Sequence, residues 1–167
     1  FKWKVVFRDM VAAAAVNAER KTIYLKRGRK FTEMELKRLL VHEIGTHVVR
    51  AENGYNKPYK MFVYGFPNYL ITEEGLAVYN EYKAGVLTNS FLKNYASRVL
   101  AVDTALKSGF STVYHMLREF FPKEIAFTHA ARAKRGLGDT SKLGAYTKDY
   151  VYLQGFLNVK NFVKEGG

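Results

Sequence analysis

The sequence predicts an α+β fold that is predominantly α, and two observations carry that prediction. Residues 5–7 and 22–25, near the N-terminus, are β-branched or aromatic and bounded by charge, as short strands are. After residue 30 the chain is a succession of segments with helical apolar spacing or helix-start residues, separated by glycine, proline and asparagine. A few strands followed by many helices is the pattern of an α+β domain.

Between the two strands, the alanine-rich stretch 10–20 shows no clear preference, so a small N-terminal antiparallel sheet is expected. Thr32 with Glu35 three residues later makes a capping box. Behind it Met34, Leu36, Leu39, Leu40, Val41, Ile44 and Val48 recur at roughly helical spacing, predicting a long helix over 33–51 that stops near Asn53-Gly54. Residues 55–69 hold two of the three prolines and read as a loop, with Met61-Phe62-Val63-Tyr64 as an added strand. Thr72 followed by Glu73-Glu74 then caps a helix over 73–83, with acids where the helix dipole favours them. Further helices are predicted over 90–107, 112–120 and 122–134, the last with proline in its first turn. A Gly-rich loop, 136–144, precedes a final helix over 147–163.

Composition narrows the function. A length of 167 residues suits one domain spanning 1–167. The chain has no cysteine, which removes disulfide frameworks, thiolate zinc sites and cysteine nucleophiles. No stretch approaches the roughly 18 apolar residues of a membrane helix; 11–18 is too short. The sequence opens at Phe1 with no methionine and no signal pattern, so a processed end with residues missing upstream is expected, and a cytoplasmic location. Lysine and arginine number 27 against 15 acids, a net charge of +12 that favours acidic partners. The densest runs, Lys26-Arg27-Gly28-Arg29-Lys30 and Lys134-Arg135, read first as solvated surface. No nucleic-acid-binding motif accompanies the charge, which argues against nucleic acid as the partner.

The chemistry concentrates at His42-Glu43-Ile44-Gly45-Thr46-His47. Two imidazoles supply neutral nitrogen ligands for zinc, and a carboxylate beside them can take a proton from the water. The usual spacing puts the histidines four apart on one helix face. Here they are five apart, which on a regular helix turns the second ring by about 140°. A π-bulge brings i and i+5 into register, and Gly45 would ease that distortion. A third ligand must come from elsewhere: His115, His129 or a carboxylate on a neighbouring helix. Thr72-Glu73-Glu74-Gly75-Leu76-Ala77 is the best source, because the glycine lets that helix approach another closely. Glu73 and Glu74 both remain open as the ligand at this point. Glu81 reads first as an exposed helix carboxylate, and otherwise as a group orienting a ligand from behind.

Together, the motif at 42–47, Asn53-Gly54, Thr-Glu-Glu-Gly-Leu-Ala at 72–77, Arg135-Gly136, the run Gly144 to Asp149 and Val151-Tyr152-Leu153 with Gly155 resemble a known family. They look like the H-E-x-x-x-H metallopeptidases, specifically the microtubule-associated tyrosine carboxypeptidases and prokaryotic relatives carrying a Q-E-G-L-A motif. Dipeptidyl peptidase III shares the stretched spacing. The resemblance implies a gluzincin-like catalytic domain, truncated on its N-terminal side, with a bulged H-E-x-x-x-H helix, a glutamate-ligand helix and a C-terminal helical part. It implies one Zn(2+) held by His42, His47 and Glu74, with Glu43 as the general base. The expected activity is that of a metallocarboxypeptidase releasing a C-terminal, tyrosine-like residue from a peptide or protein tail, an acidic one if the positive field recruits it. Holding a free carboxylate suits arginine's fork, which points to Arg132 and Arg135, with Lys148 as a point-charge alternative. Tyr152 could line a side-chain pocket, and Tyr146, Tyr150, Tyr152 and His129 are candidate oxyanion donors. The alternatives are an aminopeptidase or endopeptidase on the same site, or a basic module binding nucleic acid or an acidic surface, with a vestigial metal site.

Overall fold

The computed structural model describes residues 2–167; Phe1, at which the sequence opens, lies outside the described residues. The chain is mostly helical with one three-stranded sheet, an α+β fold. It divides into two compact units, Phe1–Leu87 with Gly155–Gly167, and Thr88–Gln154.

In the first unit, β1 (Lys4–Arg8), β2 (Ala14–Asn17) and β3 (Thr22–Lys26) lie in the order β1-β3-β2. The alanine-rich stretch therefore does form a strand. A tight turn joins it to β3: Asn17 Oδ1 accepts from the Arg20 amide at 2.8 Å, and Lys21 adopts φ 45°. Two chain reversals separate β1 from β3, so these two run parallel while β2 and β3 run antiparallel. The sheet is mixed, not antiparallel as the sequence suggested. It is tied to the helices by Glu52, whose carboxylate accepts from Trp3 Nε1 at 2.9 Å and Lys21 Nζ at 2.8 Å.

The long helix starts where predicted. Thr32 closes a reciprocal capping box with Glu35 and opens α1 (Glu33–Leu39). The helix then widens into a π segment over Leu40–Val48 and returns to α geometry as α2 (Val49–Tyr55). It runs past Asn53-Gly54, because Gly54 serves packing and not termination: a Cβ there would lie 2.3 Å from the Phe62 carbonyl oxygen. The Met61–Tyr64 run is a helical turn, α3, and not a strand. Among the described residues no strand pairs with it, and it buries Val63, 1 % exposed, beneath α2.

Helix α4 (Leu70–Lys83) begins a turn earlier than the Thr72 signal suggested, with Tyr69 at its cap and no side-chain capping bond. Its Gly75 meets Gly155 of α8 (Val151–Lys164): a Cβ on Gly75 would fall 2.2 Å from the Gly155 carbonyl carbon. The predicted close approach is thus real, and α8 is the helix approached.

The second unit contains α5 (Asn89–Lys107), capped by the Thr88 hydroxyl, α6 (Phe110–Arg118) and α7 (Lys123–Ala133). Ala101, Ala105, Val113, Leu117, Ala126, Ala130 and Ala133 form its core, small residues that let the three helices pack closely. A 3-10 turn, Thr147–Tyr150, leads into α8. Lys134, read from sequence as part of a surface basic spot, is 0 % exposed. Its ammonium donates to the carbonyls of Ala105 (3.1 Å), Ser108 (2.5 Å), Lys142 (2.6 Å) and Gly144 (2.9 Å), fixing the Gly-rich loop.

Candidate metal centre

His42 and His47 face the same way because the turn between them is π-helical, and i and i+5 come into register there. Their ring centroids are 5.1 Å apart, at 72°. Thr46 holds the widened turn open: its hydroxyl donates to the Val41 carbonyl at 3.2 Å and accepts from Asn80 Nδ2 of α4 at 2.9 Å. Gly45 is exposed, and a Cβ there would meet nothing nearer than the Leu40 carbonyl at 3.7 Å. The bulge therefore does not depend on glycine for space.

Facing this segment, α4 buries three carboxylates, Glu73, Glu74 and Glu81. Burying a carboxylate is costly unless it is paired. Glu81, expected on the surface, is 0 % exposed. Its Oε1 lies 2.7 Å from His42 Nδ1 and accepts from Arg38 Nη1 at 2.9 Å. Glu73 mirrors it: Oε1 lies 2.7 Å from His47 Nδ1 and accepts from Arg50 Nε at 3.1 Å and Nη2 at 3.0 Å. Arg50 is anchored in turn on the Val63 carbonyl. Glu74 stands between the rings, Oε2 being 3.4 Å from His42 Nε2 and 3.7 Å from His47 Nε2.

Each imidazole is thus held at Nδ1 by a carboxylate that is itself held by an arginine. A carboxylate at Nδ1 keeps the proton there and leaves the Nε2 lone pair pointing at the centre, the outer support typical of metal-binding histidines. The same carboxylates also attract a second proton, so that the charged rings are favoured until a cation takes the place of the Nε2 protons. Burial alone would lower the His42 pKa, but Glu74 and Glu81 reverse this and leave it raised. His47, similarly opposed by burial and favoured by Glu73 and Glu74, is raised to about 10. Burial would raise Glu74, yet the two imidazoles hold its carboxyl far below the usual range. Glu43, half-buried beside His42, adds its charge to the field on both rings.

These residues fit a divalent metal. Four carboxylates (Glu43, Glu73, Glu74 and Glu81) face two guanidiniums (Arg38 and Arg50); the remaining two negative charges are offset by protons on the two imidazoles, which a divalent cation bound to the neutral rings would replace. The candidate ligand atoms of His42, His47 and Glu74 lie within 4.8 Å of one another. Tetrahedral zinc ligands at about 2.0–2.1 Å stand about 3.4 Å apart, close to the separations from Glu74. Beside Glu73 and Arg50 opens a cavity of about 350 Å³, lined also by Phe62, Phe66, Tyr69 and Leu76. Anything filling it touches the pair that orients His47.

The other predicted site residues lie in the second unit. Arg132 grips buried Asp149 with Nε and, at 2.9 Å, Nη2. Arg135 lies 3.7 Å from the same carboxylate and 3.7 Å from the Tyr146 ring centroid. Tyr152 is half-buried and stacks on Tyr95, centroids 5.4 Å apart at 14°. Lys148 is half-buried in the 3-10 turn, and His129 and His115 pack against Phe121 and Tyr114. What the sequence did not reveal are Arg38 and Arg50. A signal existed: Arg38 precedes His42 by one helical turn, and Glu81 follows Glu74 by two, on the same helix face.

Comparison with known proteins bears on the whole chain. The family model described as "Microtubule-associated tyrosine carboxypeptidase" matches residues 1–166. Microtubule-associated tyrosine carboxypeptidase 1 of Mus musculus is 33% identical over 129 residues, covering 74% of this chain and 27% of the relative. The Rattus norvegicus protein of the same name is 33% identical and the Homo sapiens one 31%, over the same coverage. The chain therefore spans about a quarter of the length of the relatives it matches. With the family model running through both compact units and a third of the aligned positions shared with the mouse protein, the chain belongs to the microtubule-associated tyrosine carboxypeptidase family.

Proposed function

We propose that this chain carries the active site of a zinc-dependent carboxypeptidase that hydrolyses the last peptide bond of an acidic peptide or protein tail and releases an aromatic residue such as tyrosine. The observation that supports it most is the convergence of His42, His47 and Glu74, each imidazole backed by a carboxylate and an arginine, with Glu43 next in sequence to the first ligand. One zinc ion held by those three residues would supply Lewis acidity at the scissile carbonyl and a water that ionises near neutral pH. Glu43 accepts the proton of the attacking water at its carboxylate and returns it to the departing amine. Glu81 and Glu73 hold the imidazoles in one orientation throughout, and Arg38 and Arg50 hold those carboxylates. The choice of a tyrosine-like leaving residue rests on the names of the relatives, and the acidic tail on the net charge of +12.

The test is mass analysis of matched peptides, with free and with amidated C-termini, after incubation with zinc-loaded protein. Loss of one residue from the free peptides alone is expected. Internal cleavage of both, or trimming from the amino end, would refute the carboxypeptidase reading in favour of an endopeptidase or an aminopeptidase. Glu43→Gln should retain zinc and lose about 10²-fold or more of the hydrolysis. Loss of zinc instead would mean that Glu43 is a ligand and not the base.

A further inference from the structure

Strand β1 is the open edge of the sheet. It pairs with β3 on one side, and among the described residues no strand lies on its other side. All five of its residues are exposed, the apolar ones included: Val5 is 56 % exposed and Phe7 59 %. The ladder decides which backbone groups point outward. The Lys4 amide donates to the Lys21 carbonyl, and the Arg8 carbonyl accepts from the Arg27 amide, both at 2.9 Å. In a parallel ladder alternate residues turn to the same neighbour, so Lys4, Val6 and Arg8 face β3 while Val5 and Phe7 face away. Arg27 Nη2 reaches the Phe7 carbonyl at 3.2 Å. The Val5 amide and carbonyl and the Phe7 amide have no protein partner among the described residues. Such an edge is a template for one more strand. It is also held in shape, with Trp3 tied to Glu52 of α2 at one end and Arg8 to the Arg27 amide at the other.

The side chains say which strand it would accept. They alternate across the sheet, so Lys4, Val6 and Arg8 share one face and Val5 and Phe7 the other. On the first face Arg8 is the direct partner of Lys26, two like charges side by side. Arg27 has Asp9 at 3.8 Å, but among the described residues Lys4, Arg8 and Lys26 have no carboxylate partner. Like charges opposed on neighbouring strands are destabilising, and opposite charges stabilising. A second copy paired antiparallel and in register would set Lys4 against Arg8 twice, so the edge's own charges select against self-pairing. We propose that β1 docks an extended segment of another protein in which acidic and apolar residues alternate, the acids beside Lys4 and Arg8 and the apolar residues beside Val5 and Phe7. This docking edge does not rest on the carboxypeptidase reading.

The experiment is fluorescence anisotropy of the chain with a labelled peptide alternating glutamate and valine, acetylated and amidated so that no carboxypeptidase trims it. Val5→Pro removes an outward amide and none of the β3 ladder, so the fold should hold. Binding should weaken about tenfold, because an edge hydrogen bond is lost and the ring obstructs the incoming strand. Val6→Pro, whose amide serves β3, is the contrasting change and should lower the unfolding midpoint. Lys4→Glu with Arg8→Glu should reverse the choice of peptide, favouring one that alternates lysine and valine. Two further peptides test the backbone, one N-methylated at every valine and one at every glutamate. Binding should survive in one and be lost in the other, because only one set of amides can face β1. Should Val5→Pro fail to fold, this pair decides alone. Equal binding of both, or of a scrambled peptide of the same composition, would leave only attraction to a basic surface and overturn the proposal, as would no binding at all. Self-association of the chain that Val5→Pro removes, without peptide binding, would make a second copy the occupant and overturn it likewise.

Discussion

His42 and His47 differ from ordinary helix histidines in what stands behind them. Glu81 and Glu73 occupy Nδ1, and Arg38 and Arg50 occupy the carboxylates. Removing the outer carboxylate should therefore weaken the metal before it unfolds the protein. Glu81→Gln is expected to lower zinc affinity about 10- to 100-fold, read by competition with a chromogenic chelator. An unchanged affinity would mean that Glu81 serves only to neutralise Arg38. Proton competition gives a second expectation. The His47 pKa is raised to about 10, so the charged ring stabilises the zinc-free fold fully below the unfolded value near 6.5, and that contribution fades as pH climbs towards about 10. Zinc must displace that proton, so its apparent affinity should rise steadily between about pH 6.5 and 9, with proton release on binding measured by calorimetry in buffers of different ionisation enthalpy. A flat profile would place His47 outside the ligand set. The inner residues were legible in the sequence because five-residue spacing between two histidines is chemically odd. Of the outer ones Glu81 was legible only as the second of two readings, and Arg38 and Arg50 not at all, because a charged residue on a helix is solvated by default. Only the crossing of α4 over the π segment turns Arg38, Arg50 and Glu81 inward.

Helix α4 is held between two neighbours, packing its buried carboxylates on the π segment and Gly75 on α8. Gly155 of α8 lies against Gly75 with no room for a methyl: a Cβ on Gly155 would stand 2.0 Å from the Ile71 carbonyl oxygen. Gly155→Ala should destabilise the fold by about 1–3 kcal/mol, in line with overpacking elsewhere, and shift the helix that carries Glu74. Chemical denaturation and zinc retention should fall together. By contrast Gly45→Ala, whose Cβ would make only an ordinary contact with the Leu40 carbonyl at 3.7 Å, should leave the unfolding midpoint unchanged or slightly higher. The capping box at Thr32 was readable because both partners are local. The start of α4 was not, because Thr72 resembles a cap while the helix continues upstream to Leu70 with no side-chain cap to announce it. The Met61–Tyr64 turn was misjudged for the related reason that four apolar residues satisfy a strand and a helical turn equally well.

Across the whole molecule, a chain with 15 acids against 27 basic residues gathers four of those acids around one pair of imidazoles. The positive excess lies elsewhere, and part of it is not on the surface at all. A lysine in a run such as Lys134-Arg135 looks like solvent-facing charge from sequence. In the second unit it is instead a hub, with four backbone carbonyls around its ammonium. Lys134→Met, which takes the ammonium donor from each of those carbonyls while only Ala105 keeps the Gly144 amide, should cost about 2 kcal/mol or more, seen as a lower unfolding midpoint. The same enclosure has a consequence for chemical footprinting. An acylating reagent needs a path to the amine, and buried Lys134 offers none while its loop is closed. Among the lysines of this chain it should be the last to acquire the label, and its modification rate should therefore time how often the second unit breathes open.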